Sequence, residues 1–210
     1  MSITAAIICA VVYAVINWLD PYTLSWQCLN RPIVVAPLVG LLLGDFQTGI
    51  IMGASLEAIF MGISAVGGSI PSDCLSGSII AVAYTIVVGG DGAMETGLAL
   101  TIGTVMSTIN TMLMPLWAGL APYWERLASE CKPNKFRAIS MVVNFIACLP
   151  GAAIIFLGVA FGIEGLQAGL AACPAWVMTG LAAAGTMMTA VGFGILLSMI
   201  WSTDIAVFYF

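Results

Sequence analysis

"GDFQTGIIMGASLEAIFMGISAVGGSIPSDC", residues 44–74, sets three carboxylates, Asp45, Glu57 and Asp73, inside one of the most apolar neighbourhoods of the chain. A charged side chain at bilayer depth costs about 2.5–3.5 kcal/mol even on lenient insertion scales. A fold keeps such a group when it binds something, moves protons or locks a neighbouring element. Which of these applies depends on the setting, and the rest of the chain supplies it.

Of the 210 residues, 61% are hydrophobic and only 7% charged, and the mean hydropathy is +1.12. This is the composition of a polytopic, all-α integral membrane protein. Ten acidic and five basic residues make a sparse scatter with a net charge of -5, which leaves no basic surface for nucleic acid or anionic lipid. Histidine is absent, and the six cysteines (Cys9, Cys28, Cys74, Cys131, Cys148, Cys173) contain no C-x-x-C pair. His-based acid–base chemistry and phosphorylation on histidine are excluded on this chain, zinc and haem are disfavoured, and no cofactor is expected. The opening run "MSITAAIICAVVYAVINWLD" lacks the basic first region of a signal peptide and reads as a retained membrane segment.

Hydropathy marks apolar stretches at 3–19, 33–43, 47–66, 75–88, 97–123, 138–163 and 175–203. A straight helix needs roughly 20 residues to cross a ~30 Å hydrocarbon core. The stretches at 33–43 and 75–88 fall short, so at least one is expected to be a half-helix, a re-entrant hairpin or a protein-buried element. The stretch at 97–123 is long, and Pro115 and Pro122 are expected to kink or end it. Four of the five basic residues lie in "ERLASECKPNKFR", 125–137, which reads as a cytoplasmic loop by the positive-inside rule. Arg31 places the 20–32 connection on the same side; the acid-bearing turns at 89–96 and 164–174 suit the other. The last residues, "STDIAVFYF", begin an apolar run too short to span, which implies either a longer protein or packing against a partner.

Taken as a helix with successive residues about 100° apart, 47–66 gathers Gly49, Gly53, Glu57, Phe60 and Ser64 on one stripe. Gly49-x-x-x-Gly53 lets another backbone approach on the side that carries Glu57, so the acid points into protein. Glu57 is then either a ligand for a substrate or ion, or a polar lock between helices. Next to it, "AVGGSIPSDC" is too rich in Gly and Pro for a continuous helix, and "GLLLGDF" (40–46) is a second break with Asp45 at its turn. Broken backbone at membrane depth survives only against protein or a wet cavity, and such interruptions point to a central transport site. For Asp45 and Asp73 the competing reading is turn or cap chemistry. Thr101, Thr104, Thr108 and Thr111 recur at helical spacing and read mostly as interhelical hydrogen bonding. Trp18, Trp26, Trp117, Trp124 and Trp201 lie near expected span ends, as in an interfacial aromatic belt.

"RPIVVAPLVGLLLGDFQTGIIMGASLEAIFMG" (31–62), followed by "GGSIPSD", resembles the membrane component IIC of the mannose, fructose and sorbose class of the bacterial sugar phosphotransferase system. "CPAWVMTGLAAAGTMMTAVGFGILLSMI" (173–200) is similar to a later pattern of that family, nearest to members handling N-acetylgalactosamine. The likeness runs over nearly the whole chain and implies a single IIC domain over 1–210, with the substrate region in 31–88. Relatives usually continue for several tens of residues beyond this end.

The resemblance implies group translocation. Component IIC pairs with a membrane protein IID, as a trimer of such pairs in the bacterial cytoplasmic membrane; cytosolic IIB, recharged by IIA, phosphorylates the incoming hexose or amino sugar. The chain itself is then no enzyme. The implied sugar-contacting residues are Glu57, with Asp45, Ser64 and Asp73. The residues alone also admit an ion-coupled secondary transporter or a non-transporting scaffold subunit. An intramembrane aspartyl protease, suggested by "LLLGD", is disfavoured because Leu43 replaces the needed glycine and no second G-x-G-D occurs.

Overall fold

The computed structural model describes residues 2–24, 28–63, 72–89, 93–131, 133–172 and 174–201. Among these residues every regular element is helical: α1 (Ser2–Trp18), continued by a π-helical turn (Leu19–Leu24), α2 (Pro32–Leu43), α3 (Phe46–Phe60), α4 (Cys74–Val88), α5 (Ala93–Ala118), α6 (Ala121–Ser129), α7 (Pro133–Ala172) and α8 (Ala175–Ile200). The all-α membrane architecture expected from composition is the one observed.

Proline and glycine set the helix ends where their backbone chemistry demands it. Pro32, Pro122 and Pro133 each stand in a first turn, where the missing N–H is no loss. α2 stops at Gly44, whose left-handed φ of 92° suits a residue without a Cβ, and the Asp45 N–H then donates to the Gly40 carbonyl at 2.9 Å. α5 ends one turn after Pro115, and the chain restarts as α6 with Pro122 near its beginning. The expected break between the two prolines is therefore real. The stretch 125–137 departs from the loop expectation: residues 125–129 complete α6 and 133–137 open α7, so the turn between them is only a few residues long. The hydropathy minimum marked a helix–helix corner, because charged residues at helix ends are as polar as those of a loop.

Length separates two kinds of helix. Ala99–Ala118 in α5, Pro133–Gly162 in α7 and Ala183–Ile200 in α8 are long and apolar enough to cross a membrane. α7, at 40 residues, extends for about 60 Å and must project beyond a ~30 Å hydrocarbon core. The helices α2, α3 and α4 are shorter, at 12, 15 and 15 residues. α4 is enclosed: every residue from Leu75 to Thr85 is buried, and it packs on α1, α2, α3, α5 and α7. Of the alternatives open to the two short stretches, 75–88 is thus a protein-buried element.

The core joins Tyr13 of α1, Val35 and Val39 of α2, Leu56 and Phe60 of α3, Ile79 and Val82 of α4, and Ile155 and Val159 of α7. In lipid, burial of apolar surface drives little association, and close backbone approach matters more. Glycines supply it. Gly62 and Gly192 bring α3 and α8 together so tightly that a Cβ on Gly192 would collide with the Ile59 carbonyl at 2.7 Å. This gives Gly192, within the 173–200 stretch, its structural reason. Tyr84 of α4 donates to the Gly158 carbonyl of α7 at 2.7 Å. Trp18 Nε1 donates to the Met141 carbonyl at 3.2 Å and meets Phe145 edge-on, so this belt residue also ties α1 to α7. Three of the α5 threonines bond within their helix: the hydroxyls of Thr104, Thr108 and Thr111 donate to carbonyls of α5 itself, the usual local competitor for a hydroxyl in a helix.

Candidate functional site

α2 and α3 form a hairpin in near backbone contact. A Cβ on Gly49 would lie 2.7 Å from the Ala36 carbonyl oxygen, and one on Gly40 would lie 2.8 Å from the Gly49 Cα. Gly53 faces Ala36 and Pro32 in the same seam. The approaching backbone expected opposite Gly49-x-x-x-Gly53 is thus that of the preceding helix.

Glu57 leaves α3 on this face and meets Arg31, the residue just before α2. Arg31 Nε donates to Glu57 Oε1 at 2.8 Å, and Nη2 donates to the same oxygen in an ion pair. The second oxygen, Oε2, accepts from the Ile33 N–H at 3.3 Å, so the carboxylate also neutralises the positive amino end of α2. The acid does point into protein, and the lock between helices is present. The pair is not sealed, because the side chains remain 32% (Arg31) and 16% (Glu57) exposed. Lone pairs on Glu57 and the second terminal nitrogen of Arg31 are left over from these bonds, so the two offer acceptors and donors side by side.

The other acids fall in different places. Asp45 caps α3: Oδ1 accepts from the Thr48 N–H at 3.0 Å and Oδ2 from the Thr48 hydroxyl at 2.5 Å. It stands at the opposite end of the hairpin from Glu57, about 18 Å away along α3. Asp73 caps α4, accepting from the Leu75 N–H at 3.2 Å, while its own N–H donates to the Gly103 carbonyl at 2.9 Å. Both therefore perform cap chemistry. Asp73 nevertheless lies next to the beginning of α2, since the thiol of the adjoining Cys74 donates to the Asn30 carbonyl at 3.4 Å. Ser64 lies outside the described residues.

Two residues that sequence reading passed over join this cluster. Asp20, in the π-helical turn, is completely buried, and its carboxylate accepts from the Cys28 N–H at 3.3 Å and the Asn30 N–H at 2.9 Å. Cys74 Sγ in turn donates to the Asn30 carbonyl at 3.4 Å. Asp20 stapled to 28–30, Arg31 clasping Glu57 and Asp73 capping α4 bring the amino ends of α2 and α4 to one place. The available signal was Asp20 at the end of an apolar run followed by Pro21, together with the only basic residue of the first 125. Arg31 reads from sequence only as a marker of sidedness. Among the described residues no group of three or more His, Cys, Asp or Glu side chains has metal-site geometry.

Residues 3–210 match the family model described as the sorbose-specific IIC component of the PTS, the phosphotransferase system. The chain belongs to this IIC family. It is 30% identical over 176 residues to the N-acetylgalactosamine permease IIC component 1 of Escherichia coli (strain K12), covering 84% of this chain and 66% of the relative. The IIC chain therefore spans about two thirds of the length of that protein. A solved structure titled "Structure of membrane protein" shares the fold, with a TM-score of 0.76 over 98% of this chain and 83% of the other at 22% identity. The mannose transporter ManYZ, solved in complex with microcin E492, is similar with a TM-score of 0.58 and 25% identity over the same shares. The IIC chain is accordingly a multi-pass membrane transport component.

Proposed function

We propose that this IIC chain is the sugar-translocating subunit of a bacterial phosphotransferase complex in the cytoplasmic membrane. It moves a hexose or amino sugar inward, and a cytosolic IIB protein recharged by IIA phosphorylates the sugar. A IID membrane protein completes the transport unit, in a trimer of such pairs, and the phosphoryl group never resides on this chain. The relatives named for N-acetylgalactosamine and mannose favour those substrate classes.

The observation that carries this reading is the partly open Arg31–Glu57 pair where α2 and α4 begin. A carboxylate accepts charge-assisted hydrogen bonds from sugar hydroxyls, about twice as strong as neutral ones. A guanidinium beside it donates to the same guest in a fixed planar fork. Asp73, at the amino end of α4, belongs to this substrate region within 31–88, as does Ser64 on the segment that follows α3. Asp45 serves it from the far end by fixing the α2–α3 turn.

The test uses vesicles containing this chain with its IID partner. Sugar phosphate is expected inside only when phosphoenolpyruvate and the soluble relay proteins are supplied; accumulation of free sugar driven by an ion gradient would establish the secondary-transporter alternative. With assembly intact, Glu57→Gln is expected to abolish both uptake and phosphorylation, because a neutral amide neither holds Arg31 nor accepts as strongly. Uptake at the wild-type rate would remove Glu57 from the site.

A further inference from the structure

Asn30 stands where the beginnings of α2 and α4 meet, and its side chain is unused by the clasp described above. Its Oδ1 is buried and accepts no hydrogen bond; it is the single buried side-chain oxygen or nitrogen in that condition among the described residues. Buried polar groups almost always find a partner, so a bare acceptor marks a place for a donor that the chain does not itself provide. The main chain of the residue is fully committed. Its N–H donates to Asp20 Oδ2 at 2.9 Å, its carbonyl accepts from Cys74 Sγ at 3.4 Å, and the next residue holds Glu57. Asn30 is thus fixed from both the π-helical turn and α4, with one acceptor left over.

The surroundings say which chemistry suits that acceptor. Asp20, Glu57 and Asp73 contribute three carboxylates where α2 and α4 begin, and among the described residues Arg31 is the basic side chain paired with one of them. The region is rich in acceptors and poor in donors, so its natural guest is a neutral molecule carrying several O–H or N–H groups. We propose that Asn30 Oδ1 is a further ligand of the translocated sugar, accepting from a hydroxyl or an acetamido N–H, and that Asp20 is the positioning residue that fixes the Asn30 backbone. This rests on the sugar-translocation reading above.

The test is equilibrium binding to the purified complex of this chain with IID, using N-acetylgalactosamine, mannose and their monodeoxy analogues as probes. Asn30→Ala is expected to weaken the preferred parent sugar about tenfold while leaving one deoxy analogue bound as in the wild type, since that analogue lacks the donor Asn30 would meet. Asn30→Asp keeps an acceptor of nearly the same shape and is expected to preserve the discrimination between parent and that analogue, even if the alanine variant fails to assemble. Asp20→Asn is expected to reduce the same discrimination without a uniform loss across the panel. Unchanged binding in Asn30→Ala, equal weakening of every probe, or lost discrimination in Asn30→Asp would overturn the assignment; a water satisfying Oδ1 gives the first or second of these. A wild-type complex that binds no probe would overturn the transport reading as well, so the two failures are distinguishable.

Discussion

α4 and α8 are both strongly apolar, yet the rest of the chain covers them very differently. From Leu75 to Thr85 every residue of α4 is covered by protein, whereas Met187, Val191 and Met199 of α8 stand more than half exposed. Their ends differ as well: α4 begins on the Asp73 carboxylate, while α8 begins after Pro174 with no side-chain cap. Hydrophobicity therefore does not distinguish a helix that faces lipid from one that faces protein. Length alone does not either, since α2 and α3 are as short as α4 yet leave Ile33, Leu41 and Ile51 more than half exposed; α4 is set apart by having neighbours on every side.

Substitutions that separate these environments test the comparison. Ile79→Ala, in the middle of α4 and fully buried, is expected to cost about 2–5 kcal/mol by opening a cavity, measured as a shift in the unfolding midpoint in lipid nanodiscs. Asp73→Ala should cost about 1 kcal/mol by uncapping α4, whereas Pro174→Ala at the corresponding place on α8 should lose no cap. Tyr84→Phe, which removes the hydrogen bond to the Gly158 carbonyl, is expected to cost roughly 0.6 kcal/mol, the average for such bonds in membrane bundles. Met187→Ala on α8 should stay within about 0.5 kcal/mol, as for other exposed positions. Equal losses at Ile79 and Met187 would break the distinction. A loss at Met187 that appears only when IID is present would sharpen it, by showing that protein rather than lipid covers that face.

Much of this architecture was legible because membrane constraints are severe. The ends of α1 and α8 and the break between Pro115 and Pro122 follow from hydropathy and proline chemistry, and the shortness of 75–88 marked it as one of two stretches unable to span as a straight helix. The Gly49–Gly53 stripe announced a close backbone contact and the side on which Glu57 would lie. The partner was not legible, since a helical wheel gives the direction of a side chain but not what stands opposite. Arg31, far from Glu57 in sequence, becomes its neighbour only when the turn at Gly44 folds α2 back on α3. The threonine row misled for a related reason: helical spacing fixes a face, while a hydroxyl can be satisfied by the carbonyl one turn behind it. Asp20 offered only its place at the end of an apolar run, because its partners are the backbone N–H groups of Cys28 and Asn30, and Asn30 offered nothing, because it is engaged through its main chain.

Closing the α2–α3 hairpin at both ends has a mechanical result. At the tip, Gly40 accepts from Asp45 through main-chain atoms; at the mouth, Arg31 grips Glu57; and between them the glycine seam leaves no gap in which one rod could slide along the other. The two rods are therefore tied at tip, seam and mouth, and the place where this hairpin can still yield is Pro37, in the middle of α2, whose ring removes one hydrogen bond of the helix.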